Sequence, residues 1–195
     1  METIKSLEDL SKPDPRSSLW EMVNKKTGLR RPIQIEDHYR RFTRDAVNPS
    51  VPEDVRNLLV VAANLYVYAW FVYSFGAVAE LQCLAALEMA LRRRAGIGDG
   101  KPGPGLRKLM HRAIAEGWIR DSGLPRPALL PGFQLDSGAG SSDPQARVKH
   151  MANSLPNWRN IIAHGAYMTF PPGNVLLGVV TGLVNQLWPT IYGGV

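Results

Sequence analysis

Apolar residues recur along this chain at helical rather than strand spacing. Leu81, Leu84, Leu87 and Leu91 follow one another at intervals of three and four residues, which places them on one face of a helix. Residues 105–118 repeat this pattern, with a basic face opposite the apolar one. We find no credible alternating strand and no hairpin signal. The pattern therefore predicts an all-α fold, a bundle of about five or six helices.

Capping and breaking residues divide this pattern into segments. Pro52 and the acids after it are typical of a helix start. No firm stop follows until the glycines after Arg94, although Gly76 is a place where the helix can break. Pro156 either kinks a helix or opens a new one, and Gly165 is a fitting helix end. We expect helices over residues 36–46, 51–94, 105–118, 143–164 and 174–192.

The same signals indicate how the chain is organised. Residues 1–50 carry prolines, a central glycine and basic pairs, which predicts an N-terminal arm with short helices, one of them near residues 19–24. Residues 51–195 would form the helical domain. Within that domain, residues 121–142 are rich in glycine, proline and serine, which predicts a long loop.

Charge and cysteine content indicate the kind of partner and the cellular compartment. A net charge of +6 raises the chance of a polyanionic partner such as RNA. The single cysteine, Cys83, lies in an apolar run, so we expect a buried, unreactive thiol in a reducing compartment. Residues 1–30 are polar and show no secretory signal, which favours a cytoplasmic location.

An uncharged run of 23 residues between Arg56 and Glu80 raises the question of a membrane. Its length is sufficient for a spanning helix. However, Asn64, Tyr66 and Ser74 lie within the run, and a helix buried on all sides of a bundle or dimer gives the same pattern. We therefore expect a core or dimer-interface helix, with membrane attachment as the less favoured alternative.

The residues that can carry chemistry are concentrated near residue 160. After Arg159, the only side chain that can carry a positive charge is His164. On an ideal helix Asn160 and His164 share a face, whereas Arg159 lies about 140° away from His164. Arg159 and His164 can therefore act together only through the length of the arginine, an unwound helix end at Gly165, or a second subunit.

This motif resembles the signature of the HEPN superfamily, in which an arginine and a histidine are separated by four to six residues. Here the motif runs from Arg159 through Asn160 to His164. Residues 84–94 and 105–119 are similar to the earlier helices of such domains, so the resemblance covers roughly residues 55–192. It leaves the N-terminal arm unexplained.

The resemblance implies a homodimer in which two copies of the motif face each other across a cleft. Catalytic members of the superfamily are metal-independent endoribonucleases that need no cofactor. Many of them are toxins, which require an antitoxin or regulatory protein, or antiviral and stress effectors. Other members are non-catalytic modules that bind a protein or nucleotide.

The chemistry of the motif fits RNA cleavage. RNA carries a 2′-hydroxyl beside each phosphate, and removal of its proton lets that oxygen attack the phosphorus. His164 can act as the general base or acid, because its ordinary pKa is near neutrality. Arg159 can neutralise charge that develops on the phosphoryl oxygens. Asn160 can orient the imidazole or a substrate oxygen.

A purely structural alternative remains open for the same residues. In that alternative His164 interacts with the C-terminal end of its helix, and Arg159 pairs with a carboxylate at the edge of the core, either Glu88 or Glu80. We assign Glu88 a supporting role in both cases, because its helix is expected to pack beside the motif.

Two further features concern ligand binding: a basic surface near residues 92–112, and histidines that lack the spacing of metal ligands. Arginines and a lysine near residues 92–112 can line a path for RNA, although a solvated surface is the alternative. The remaining histidines have no cysteine or acid partners at metal-ligand spacing, so no metal site is expected. The predicted RNA-binding residues are Arg92, Arg93, Arg107, Lys108 and Arg112.

Overall fold

The computed structural model describes residues 3–24, 26–98, 100–124, 142–165 and 174–189. These residues form six α-helices and one two-stranded sheet, which confirms the all-α class. The strands are β1 (Glu21–Val23) and β2 (Arg30–Pro32), and the helices are α1 (Ile35–Thr43), α2 (Glu53–Tyr68), α3 (Phe75–Arg94), α4 (Leu106–Ala115), α5 (Ala146–Ala163) and α6 (Asn174–Leu187).

Helix α3 lies at the centre of the bundle and contacts α2, α4, α5 and α6. The leucines of its predicted stripe, Leu84, Leu87 and Leu91, are fully buried. Burial of a leucine contributes roughly 1.5–3 kcal/mol, so this stripe is a main source of stability. Cys83 is buried as predicted, and burial raises the pKa of its thiol, which keeps the thiol protonated.

The predicted long helix is divided into two helices, α2 and α3. The division lies before Gly76, where the sequence had suggested a possible break. Residues 69–74 form turns between the two helices. Arg93 Nη2 lies 2.6 Å from Asp54 Oδ2, which joins the end of α3 to the start of α2. The two helices therefore run antiparallel, and the turn lets both bury their apolar faces against each other.

The hairpin of the N-terminal arm corrects the expectation that the chain has no strands. β1 pairs with β2 antiparallel, with Met22 opposite Arg31. Its residues are mostly exposed, so the strands show no apolar alternation for a sequence pattern to detect. The predicted helix near residues 19–24 is also wrong, because this stretch contains β1 and the end of a 3₁₀ turn, Pro15–Leu19.

The arm is held against the turn between α2 and α3. The backbone N–H of Asp14 and the hydroxyl of Ser17 both donate to the carbonyl oxygen of Trp70, at 2.9 and 3.0 Å. Trp20 stacks on His38 of α1. Helix α1 begins at Ile35, where the side chains of Gln34 and Asp37 form a capping box.

Helix α5 carries the candidate motif and is a single helix with Pro156 inside it, so Pro156 does not begin a new helix. A residue far away in sequence caps its first turn. The carboxylate of Asp121 accepts hydrogen bonds from the backbone N–H groups of Arg147 and Val148, at 3.0 and 2.7 Å. Gly165, with φ of +77°, ends the helix as predicted.

Two predicted features lie partly outside the described residues. The loop expected over residues 121–142 begins with a 3₁₀ turn, Asp121–Gly123, and residues 125–141 are outside. The predicted end of the last helix near Tyr192 is outside as well. Among the residues that the structure describes, no helix has the length and apolar character needed to cross a membrane.

Candidate functional site

The motif lies at the C-terminal end of α5. His164 is the residue that follows the last helical position, with φ of −88° and ψ of +10°, and its backbone N–H donates to the carbonyl oxygen of Asn160 at 3.0 Å. Asn160 and His164 are both exposed. Their exposure makes the amide and the imidazole accessible to a ligand or a second chain.

Arg159 is directed towards α3. Its Nη2 lies 3.4 Å from Oε2 of Glu88, which is the contact expected in the structural alternative, with Glu88 rather than Glu80 as the partner. This oxygen of Glu88 is buried, yet it accepts no hydrogen bond among the described residues. The arginine side chain remains 42% exposed, so the pair stabilises the fold by no more than about 1 kcal/mol.

The pairing with Glu88 keeps Arg159 away from His164 within one chain. Arg159 contacts α3, whereas His164 stands at the exposed end of α5. Ile161, between them, is 38% exposed despite its apolar side chain. This arrangement matches the expectation that Arg159 and His164 do not share a face of the helix.

A second contact between α5 and α3 was not predicted. The indole Nε1–H of Trp158 donates to Oε2 of Glu80 at 2.8 Å. Burial raises the pKa of Glu80 to about 7, and the hydrogen bond from Trp158 opposes part of that rise. Trp158 immediately precedes Arg159, so Glu80 fixes the position of the motif. The sequence signal for this contact is the position of Glu80 at the end of a long uncharged run, which indicates a buried carboxyl group.

The two predicted RNA-binding residues on α3 are engaged within the chain. Arg92 donates to the carbonyl oxygen of Lys101 at 2.7 Å, and Arg93 is paired with Asp54. Both contacts hold the end of α3 against neighbouring segments. These two arginines therefore have a structural role, whatever else they bind.

The three predicted residues on α4 differ from one another. Arg107 donates to the side chain of Asn157 at 2.7 Å and so ties α4 to α5. The guanidinium of Arg112 lies 5.4 Å from the centre of the Trp118 ring, a cation–π contact. Lys108 is exposed. The basic surface thus reaches α5 through Arg107.

No group of three or more histidine, cysteine, aspartate or glutamate residues is arranged to hold a metal ion in the described part of the chain. The most buried histidine has another role. His38 Nε2 lies 2.8 Å from the carbonyl oxygen of Tyr66, so this nitrogen must carry the proton and donate. Burial lowers the pKa of His38.

Comparison with known proteins gives no match, whether with protein-family models, curated proteins or solved structures. The likeness to HEPN domains therefore depends on the motif at Arg159 and His164 and on its helical context.

Proposed function

We propose that this chain is a metal-independent endoribonuclease of HEPN type that acts as a homodimer. Arg159 and His164 are its catalytic residues, and Asn160 supports them. The observation that carries the proposal is the accessibility of His164 at the end of α5, one turn after the exposed Asn160. Both side chains are available to a substrate without rearrangement of the bundle.

In the proposed reaction, His164 removes the proton of the 2′-hydroxyl, and the 2′-oxygen forms a bond with the adjacent phosphorus. The bond from phosphorus to the 5′-oxygen breaks, and that oxygen takes up a proton. The products are a 2′,3′-cyclic phosphate and a free 5′-hydroxyl. A histidine in this role contributes about 10²- to 10⁴-fold to the rate.

Arg159 binds the phosphate whose charge increases in the transition state. Its contact with Glu88 is a partly exposed ion pair at 3.4 Å, and such pairs are weak. An RNA phosphate, which accepts a bidentate contact from arginine, can therefore replace Glu88. Glu88 holds the guanidinium in place until the substrate arrives.

A second chain would bring together the two catalytic residues that a single chain holds apart. Arg159 points to α3 while His164 is at the helix end, so the proposed dimer places the α5 ends of two chains opposite each other. The exposed Ile161 lies on this part of α5 and would be covered there. The proposed RNA path continues along Lys108 and Arg112 of α4, which are exposed.

The test is cleavage of RNA in the presence of EDTA. We expect wild-type protein to produce cyclic phosphate ends, and Arg159→Ala and His164→Ala to lower the rate about 100-fold or more. Asn160→Ala is expected to have a smaller effect. Arg40→Ala replaces an exposed arginine on α1, away from the motif and from α4, and serves as the matched control. Equal cleavage by the wild type and the two catalytic variants, or no cleavage, would refute the proposal.

A second candidate function is favoured by the contact between Arg159 and Glu88. Because this arginine already has a partner within the chain, the motif can serve as a structural element of a non-catalytic helical binding module for a protein or nucleotide. This candidate predicts no cleavage of RNA at any protein concentration. It also predicts that Arg159→Ala lowers thermal stability while His164→Ala leaves it unchanged.

A further inference from the structure

The exposed face of α5 that leads to the motif carries amide side chains rather than charges. Four exposed residues follow one another here at intervals of three and four positions: Asn153, Asn157, Asn160 and His164. Residues at this spacing lie along one face of a helix. Asparagine is among the weaker helix formers, and the N-cap of α5, where an asparagine would stabilise the helix, is Gln145. The stability of α5 therefore does not account for this amide face.

Arg107 of α4 orients part of the amide face. Its Nη2 donates to Oδ1 of Asn157 at 2.7 Å and lies 3.4 Å from the backbone carbonyl oxygen of Asn153. The Nδ2 of Asn157 donates to no group among the described residues. With its oxygen occupied, this amide presents a fixed donor to a ligand. Asn160 keeps both its donor and its acceptor available.

The charges beside the amide face favour a ligand that carries several negative charges. Helices α4 and α5 each contain three arginine or lysine residues, and neither contains an aspartate or glutamate. Three of these basic residues pair with an acid outside the two helices. Arg107 and Lys108 are exposed and pair with no carboxylate in the described part of the chain. Their charge remains available for phosphate groups.

Amides beside phosphate-binding cations fit a nucleic acid strand, because an amide both donates to and accepts from the edges of bases. Residues four positions apart in an α-helix are separated by about 6 Å, whereas stacked bases of a double helix lie about 3.4 Å apart. The spacing of the asparagines therefore suits bases that are unstacked. Side chains cannot read base edges in the deep, narrow groove of double-stranded RNA, which also favours an unpaired strand.

We propose that the amide face of α5, together with Arg107 and Lys108 of α4, binds an unpaired RNA strand. The inference rests on the proposed nuclease function and names its substrate class, single-stranded RNA. Asn157 lies about two turns before His164, so it contacts a base beside the cleavage site. Lys108 binds a phosphate of the same strand.

Fluorescence anisotropy with the full chain and a 2′-O-methylated RNA of about 12 nucleotides tests this proposal. This RNA has no free 2′-hydroxyl, so it cannot be cleaved by the proposed reaction. We expect the single strand to bind more tightly than the same strand annealed to its complement. Asn157→Ala should weaken binding of the single strand about fivefold without changing its salt dependence. Lys108→Gln should reduce the slope of log K against log salt by about 0.7.

Matched controls are available on helices that lie away from this face. Asn57→Ala replaces an exposed asparagine of α2, and Arg40→Gln an exposed basic residue of α1; both should bind the strand as the wild type does. Alanine is a better helix former than asparagine, so unfolding of α5 does not explain weaker binding by Asn157→Ala.

Four results would overturn the proposal: undetectable binding, duplex binding as tight as that of the single strand, wild-type affinity in Asn157→Ala, or an unchanged salt slope in Lys108→Gln. Cleavage of unmodified RNA is scored separately. Binding that depends on Asn157 without any cleavage would refute the nuclease function and leave the amide face as a site for RNA. Cleavage combined with wild-type affinity in Asn157→Ala would refute the amide face alone.

Discussion

Replacement of Glu80 by glutamine should change how stability depends on pH. Glu80 accepts the hydrogen bond from Trp158 at 2.8 Å, and burial raises its pKa to about 7. In the unfolded chain the pKa returns to its ordinary value of 4.5. Between pH 4.5 and about 7 the folded protein therefore holds a proton that the unfolded chain has lost, so the folded state loses stability as the pH rises through this window.

The size of the effect follows from the two pKa values. A rise from 4.5 to about 7 corresponds to about 3 kcal/mol. Water reaches part of the Glu80 side chain and screens the cost of the charge, so we expect a measured effect of about 1–3 kcal/mol. Glutamine has nearly the same shape and keeps an oxygen for the indole of Trp158, but it cannot ionise. Glu80→Gln should exceed the stability of the wild type by a smaller margin at pH 5 than at pH 8.

Urea unfolding followed by far-ultraviolet circular dichroism, at pH values from 5 to 8, measures this difference. The comparison with the wild type is necessary because His38 has the opposite effect. Burial lowers the pKa of His38, so the unfolded chain binds a proton near pH 6.5 more readily than the folded protein, and this contribution raises stability as the pH rises. His38 is present in both proteins, so its contribution cancels in the difference.

Glu116→Gln is the control, because Glu116 is exposed on the surface after α4. Its effect should stay below about 1 kcal/mol at every pH. If the difference between Glu80→Gln and the wild type is the same at pH 5 and pH 8, Glu80 is ionised in the folded protein throughout. The inference of a buried, protonated carboxyl beside Trp158 would then be wrong.

Substitutions at three further positions test the packing of α5 and its neighbours, each measured by urea unfolding. Asp121→Ala removes the acceptor for two backbone N–H groups at the start of α5 and should cost about 1–2 kcal/mol, whereas Asp121→Asn should cost less because it keeps one acceptor. Leu155→Ala opens a cavity at a fully buried position of α5, which should cost about 2–5 kcal/mol. Gly123→Ala places a methyl group against the side chain of Gln186 and should cost about 1–3 kcal/mol; no loss of stability would show that Gln186 moves aside freely.

The parts of the fold that sequence predicts are those with local causes. The apolar stripe of α3 and the end of α5 at Gly165 depend on residues within a few positions of each other. A pairing of Arg159 with a carboxylate at the edge of the core was expected in the structural alternative, but the choice between Glu88 and Glu80 was left open, because it depends on how α3 and α5 pack. The position of the division between α2 and α3 was predicted only approximately, because no proline or glycine marks residues 69–74.

Other features depend on contacts between distant residues. The hairpin was missed because its strands are exposed and carry no alternating pattern. The cap of α5 by Asp121 joins residues 26 and 27 positions apart.

The sequence by itself determined the all-α class, the central leucine stripe and the presence of Arg159, Asn160 and His164 near one helix end, because helical periodicity and capping are local. Tertiary structure alone decided which groups face one another. It placed Arg159 beside Glu88, left His164 exposed and raised the pKa of Glu80, because burial and charge pairing depend on neighbours that the chain brings together only when it folds.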